Sequence, residues 1–173
     1  MRSKTSLAAA LVVLFIVRVV TTPYASAAPP DDACSLLTQA QVSAALGFAV
    51  APGAHVNPSN LKACMWSPPG ALTMGKNLFV SLKTADEYKS SKTLMERTQA
   101  ALKAQKGEDA GQLTITPVSG LGDDAYYASA GNHPKLNVKK GDLSVSVEVF
   151  GDFPADKLKD IEKTLALQIL SKL

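Results

Sequence analysis

A strict two-residue alternation runs from Asp142 to Phe150, where every second residue is apolar. The apolar set is Leu143, Val145, Val147 and Val149. This alternation predicts a half-buried β-strand, because successive side chains of a strand point to opposite faces. Lys140-Gly141 separates this strand from the predicted strand Lys135–Lys139, which is a hairpin signal. The chain must therefore form an antiparallel sheet with at least one buried face.

Shorter segments with strand character occupy much of the remaining chain. The predicted strands are Phe48–Ala51, Ala63–Ser67, Asn77–Lys83, Gln112–Val118 and Asp124–Ser129, the first of them short. The segment Pro52–Leu61 is rich in Pro, Gly and Asn and is predicted to be a loop.

Three helices are marked by their ends. The first is predicted over Gln39–Leu46, because Thr38 and Gln41 form a capping box and Gly47 supplies a C-terminal stop. The second helix begins at the capping box of Thr84 and Glu87 and runs to about Gln105, with Gly107 as its stop signal. The third helix begins near Asp152 and has Pro154 in its first turn.

Helices interleaved with hairpin-connected strands are typical of an α+β domain. We expect an antiparallel sheet of about five or six strands with three helices, in the order α-β-β-α-β-β-β-α. This forms a single domain over residues 34–173, preceded by a flexible lead-in at residues 28–33.

Residues 1–27 have the order of a secretory signal peptide. Arg2 and Lys4 precede an apolar run. Small residues lie further on, just before a predicted cleavage site after Ala27 or Ala28. The run is shorter than the roughly 20 residues that span a bilayer, so no transmembrane segment is expected after cleavage. We therefore expect an exported protein, periplasmic or secreted.

Removal of the leader changes the charge. The full chain carries +3, from 18 Lys and Arg and 15 Asp and Glu, but three of the basic residues lie in the leader, which leaves 15 against 15. A formally neutral domain lacks the basic character of nucleic-acid-binding proteins, so no nucleic acid partner is expected.

Cys34 and Cys64 are the two cysteines of the chain. Export places them where thiols oxidise, which predicts a disulfide from the start of the first helix to a strand that also holds Trp66. The alternative is a reactive or metal-binding thiol pair, but the spacing matches no zinc motif and no second pair completes four ligands.

Motifs for catalysis are incomplete. The run Gly70–Asn77 resembles a phosphate-binding loop but has Asn77 where a hydroxyl must bind magnesium. His55 and His133 lie in predicted loops, where solvent exposure is the simplest interpretation. We therefore predict no catalytic residues, no metal and no cofactor.

Four short runs together resemble one group of exported bacterial proteins. They are Cys34-Ser-Leu-Leu-Thr38, Val42–Gly47, Cys64-Met-Trp66 and Gly120-Leu-Gly-Asp-Asp-Ala-Tyr126. These runs resemble the DUF3558-like envelope proteins and, more distantly, the extracellular sensor domain of PknH-type kinases. The resemblance implies an exported, disulfide-bonded α+β domain used for binding.

The expected function is that of a non-enzymatic binding or accessory domain, monomeric, with a small ligand or an envelope protein as its unidentified partner. Its binding surface is predicted near Trp66, Tyr126 and Tyr127, with one of the two tyrosines in the core. One alternative is an enzyme inhibitor or protein-interaction module that uses the loop His55–Leu61. Another is an enzyme whose site is assembled from distant residues.

Overall fold

A computed structural model describes residues 30–70, 75–106 and 113–173. Outside these ranges lie the predicted signal peptide and the predicted helix end at Gly107. Most of the segment Gly70–Asn77, which resembles a phosphate-binding loop, also lies outside them. The α-helices are α1 (Gln39–Leu46), α2 (Ala85–Lys106) and α3 (Ala155–Leu170), and a 3-10 helix at Ala33–Ser35 precedes α1. The strands are β1 (Ala54–Asn57), β2 (Asn60–Trp66), β3 (Asn77–Thr84), β4 (Leu113–Pro117), β5 (Asp124–Ala130), β6 (His133–Lys140) and β7 (Leu143–Phe150).

The strands form one antiparallel sheet in the order β1-β2-β3-β7-β6-β5-β4. Two meanders, β1 to β3 and β4 to β7, join where β3 pairs with β7 along its whole length. Helix α2 connects the two meanders. The α+β prediction is confirmed as a single domain, and the described residues contain seven strands rather than five or six.

The helix ends follow the local sequence. Thr38 and Gln41 form the predicted capping box of α1, and Gly47 closes that helix with a left-handed φ of 78°. At α2, the Glu87 carboxylate accepts a hydrogen bond of 2.7 Å from the Thr84 backbone N–H. Helix α3 begins at Ala155, slightly later than predicted, with Pro154 at the N-cap.

The sheet is covered on both faces. Tyr127 of β5 donates a hydrogen bond of 2.8 Å to the Lys159 carbonyl of α3. Its neighbour Tyr126 packs against Tyr88 of α2, with ring centroids 5.4 Å apart. Because adjacent strand residues point to opposite faces, α3 and α2 lie on opposite sides of the sheet.

The main core lies between the sheet and α3, with α1 packed at its edge. It contains Val145, Val147 and Val149 of β7 and the inward residues of α3: Leu158, Ile161, Leu165 and Ile169. A smaller cluster of Tyr88, Tyr126 and Ala128 lies beneath α2. The face beneath α3 is thus almost wholly apolar, whereas the face that carries α2 mixes apolar and polar residues.

Two local predictions are wrong. Phe48–Ala51 forms no strand, and the predicted loop Pro52–Leu61 contains β1, the turn after it and the start of β2. The predicted lead-in is packed at its end, since Asp32 caps the 3-10 helix and Ala33 is fully buried. Among the described helices, none has the length and apolarity needed to cross a membrane.

Candidate functional site

The disulfide between Cys34 and Cys64 is present, as predicted. It joins two positions that are 30 residues apart in sequence, with their Cα atoms 5.0 Å apart. Cys34 belongs to the 3-10 helix and Cys64 is a fully buried residue of β2. The bond therefore fastens the start of the domain to the outer part of the sheet.

A histidine and an aspartate lie beside this disulfide. The Asp32 Oδ1 accepts hydrogen bonds from the Cys34 backbone N–H at 2.7 Å and from His55 Nε2 at 2.9 Å. These hydrogen bonds hold the pKa of Asp32 below its usual range, and the bond from His55 has the largest effect. His55 is therefore a partly buried strand residue with an acidic partner, not the exposed loop histidine that the sequence suggests.

The three aromatic residues predicted to form a binding surface lie in the core. Trp66 and Tyr126 are each 1% exposed, and Tyr127 is 7% exposed. The two tyrosines point to opposite faces as expected, but a helix covers each face, so neither reaches the surface. These residues stabilise the fold, and the prediction of an exposed surface around them is corrected.

An open groove lies on the face of the sheet that carries α2, beside the start of that helix. Its volume is about 570 Å³. Phe79 and Ser81 of β3 and Ala63 of β2 contribute to its wall. Since Phe79 pairs with Met65 of β2 and Glu148 of β7, this wall lies in the middle of the sheet.

Three lysines surround the groove: Lys62 of β2, Lys83 of β3 and Lys135 of β6. The Lys135 Nζ lies 3.1 Å from Glu148 Oε2 and 5.7 Å from the centroid of the Phe79 ring. Within the described part of the chain, neither Lys62 nor Lys83 forms a salt bridge. The groove thus combines an aromatic surface with an excess of positive charge.

The electrostatics of Lys83 show that its charge is poorly compensated. Burial lowers the pKa of Lys83, and the positive charge of Lys135 lowers it further. Glu87 opposes this effect, but its carboxylate accepts the N-cap hydrogen bonds from Thr84, which lower the pKa of Glu87. Glu87 also lines the groove and attracts both Lys83 and Lys62, so one carboxylate compensates two lysines in part.

Sequence reasoning missed this groove because its parts come from different strands. Lys62 falls between the predicted loop Pro52–Leu61 and the predicted strand Ala63–Ser67, and Phe79, Ser81 and Lys83 belong to the predicted strand Asn77–Lys83. Pairing of β2 with β3, β3 with β7 and β7 with β6 brings these side chains together. The one available signal was the mixture of aromatic, hydroxyl and basic residues on the polar side of β3.

The fold and the groove define a class: a disulfide-fastened α+β domain with a basic, partly apolar groove on one sheet face. Comparisons with protein-family models, curated proteins and solved structures found no match.

Proposed function

We propose that this protein is an exported, non-enzymatic binding domain of the bacterial cell envelope, and that its groove binds an anionic small ligand. Export to the periplasm or the exterior rests on the signal-like leader. The resemblance to DUF3558-like proteins remains a prediction that agrees with such a role.

The observation that carries the proposal is the set of three lysines around Phe79. Burial disfavours the charge of Lys83, and the like charge of Lys135, which is itself paired with Glu148, adds to that cost. A carboxylate or phosphate between Lys62, Lys83 and Lys135 offsets that cost through charge-assisted hydrogen bonds. The groove volume lies within the range of small-molecule sites, roughly 300–1,000 Å³.

Phe79 adds a requirement on the ligand beyond charge. An aromatic ring at the groove wall favours contact with an apolar group or the apolar face of a sugar. We therefore expect an anion attached to such a group to bind better than a small inorganic anion, which would meet the lysines alone.

Binding is tested by thermal shift and calorimetry with matched probes. The pairs are glucuronate against glucose, and a short-chain phosphatidylglycerol against phosphatidylcholine of equal chain length. We expect the anionic member of at least one pair to stabilise the protein and the uncharged or zwitterionic member to have little effect. Added salt should weaken the interaction, since partly exposed charges are screened.

The Lys83→Met variant distinguishes an effect on ligand binding from an effect on folding. It keeps an apolar stem but removes the charge, so affinity for the anionic probe should fall about tenfold. Stability without ligand should stay unchanged or rise, because the repulsion with Lys135 is removed. Lys163→Met, on the exposed side of α3, is the matched control and should change neither. Failure of every anionic probe, or equal binding of the neutral partners, would overturn the proposal.

A protein-interaction role is the second candidate, favoured by the hairpin of β1 and β2. Val56 and Leu61 on this hairpin are 54% and 43% exposed, so two large apolar side chains are available for contact near this edge of the sheet. The double variant Val56→Ser/Leu61→Ser should then abolish crosslinking to a specific envelope protein or hydrolase. Retention of that crosslink would remove the hairpin from consideration.

A further inference from the structure

The disulfide region contains four potential metal ligands in one place. Asp32, Cys34 and His55 each offer a donor atom, and these three atoms lie within 4.8 Å of one another. Cys64 lies next to this group of three, because it is bonded to Cys34 and pairs with His55 across the strands. A carboxylate, an imidazole and two sulfur atoms therefore meet where the chain enters the domain.

The fold holds these side chains together independently of any ion. His55 of β1 is the cross-strand partner of Cys64 of β2, so both residues are fixed by the strand register. Asp32 lies two residues before Cys34 and is fixed by its bonds to the Cys34 backbone and the His55 ring. The ligand positions would thus persist in part after the sulfur–sulfur bond is broken.

We propose that reduction of the Cys34–Cys64 disulfide creates a zinc site formed by both thiolates, His55 and Asp32. A dithiol reductant supplies two electrons and two protons, which break the sulfur–sulfur bond and leave two thiols, while the dithiol itself becomes a disulfide. Binding of Zn²⁺ then displaces both thiol protons. The ion replaces the covalent link with a coordinate one between the same two segments.

The donor set fits zinc. Zn²⁺ is commonly bound in tetrahedral sites by thiolate sulfur at about 2.3 Å and by imidazole nitrogen or carboxylate oxygen at about 2.0–2.2 Å. Four such ligands lie within about 4 Å of one another, so the donor atoms of Asp32, Cys34 and His55, which lie within 4.8 Å of one another, require a small contraction. The 5.0 Å separation of the two cysteine Cα atoms allows both sulfur atoms to reach one ion after the bond between them is broken. Thiolates also exclude Mg²⁺ and Ca²⁺, which prefer oxygen ligands.

Access and charge also favour such a site. Asp32 and His55 are partly exposed, whereas Cys64 is buried, so an ion or reductant approaches from the side of the carboxylate and imidazole. Two thiolates and a carboxylate outweigh the charge of the ion by one, and the neighbouring backbone N–H of Cys34 already donates to the carboxylate. The proposal is independent of the anion-binding groove.

The test compares oxidised protein with protein reduced by a phosphine under anaerobic conditions, each titrated with Zn²⁺ and with Co²⁺. Native mass spectrometry should show one Zn²⁺ on the reduced protein and none on the oxidised protein. Bound Co²⁺ should give thiolate charge-transfer bands and the visible bands of tetrahedral coordination. Zn²⁺ should raise the melting temperature of the reduced protein alone.

Variants of the two histidines make the test specific. His55→Ala should weaken Zn²⁺ binding by at least about tenfold, whereas His133→Ala should have no effect. Equal zinc affinity of oxidised and reduced protein, or of His55→Ala and the parent, overturns the proposal. Reduction could unfold the protein, and circular dichroism measures whether it does. A reduced chain that is unfolded and stays unfolded with Zn²⁺ also overturns the proposal.

Discussion

Glu162 gives the most quantitative prediction, because it is a carboxylic acid buried in the main core. It has no exposed surface, and its Oε1 accepts a hydrogen bond of 3.0 Å from the Val149 backbone N–H. Its Oε2 has no hydrogen-bond partner among the described residues. Burial raises the pKa of Glu162 to about 8; the Val149 hydrogen bond partly offsets the rise, while the charge of Glu148 adds to it.

The sign of the resulting pH dependence follows from proton counting. The folded protein keeps the Glu162 proton up to about pH 8, whereas the unfolded chain releases it near the ordinary value of 4.5. Between these values the folded state binds more protons, so the free energy of unfolding falls as pH rises. Each pH unit contributes at most about 1.4 kcal/mol, so the loss across this window is on the order of 4 kcal/mol.

Glu162→Gln isolates this effect. The glutamine side chain is neutral at every pH, and its carbonyl oxygen can accept the Val149 hydrogen bond. We expect the stability difference between variant and parent to shift in favour of the variant, by on the order of 4 kcal/mol, from pH 4.5 to pH 8. A constant offset from the amide group would not alter this slope.

Urea unfolding at a series of pH values measures the difference. Subtracting the parent from the variant removes the titration of every group that the two proteins share. Glu96→Gln on the exposed side of α2 is the control, and its curve should follow that of the parent. If the curves of Glu162→Gln and the parent run parallel from pH 4.5 to 8, Glu162 is ionised in the fold and the reasoning is wrong.

Two further predictions concern core contacts measured by the same unfolding assay. Tyr127→Phe should cost about 1 kcal/mol because it loses the hydrogen bond to a carbonyl of α3, whereas Tyr126→Phe should be neutral or stabilising because its buried hydroxyl has no partner among the described residues. Equal effects of the two changes would contradict the assigned contacts. Gly53→Ala should cost about 2 kcal/mol, since its Cβ would lie 2.6 Å from a ring carbon of Trp66. Gly75→Ala, whose Cβ would meet no atom of the described residues within 4 Å, is the control, and equal stability of the two alanine variants would refute the close approach.

Structural features that depend on residues close together in the sequence were predictable. The capping box of Thr38 and Gln41 and the strand Leu143–Phe150 are found where expected. A helix cap depends on three or four consecutive residues. An alternating pattern depends on a single strand that has one buried face. Such patterns record the local physics directly, which is why the α+β class was also predictable. The disulfide was predictable for another reason, since the chain has two cysteines and a predicted export signal.

Features set by strand pairing were not predictable. Strand β1 is short and mostly exposed, so it carries no alternation, and its segment has the composition of a loop. The contact of His55 with Asp32 depends on the register of β1 against β2. The burial of Trp66 and both tyrosines depends on helices covering both faces of the sheet, which no single strand pattern reveals.

The extent of α2 explains why the groove lies where it does. This helix packs over Tyr126 and Ala128 but leaves the region around Phe79 open. Strand β3 buries Leu78, Val80 and Leu82 on its other side, so the fold already has the apolar contacts it requires there. The charge of Lys83 adds nothing to that packing and is disfavoured by its surroundings. Under the proposed function a ligand neutralises this charge, which is why we propose the groove, rather than the buried aromatic residues, as the binding surface.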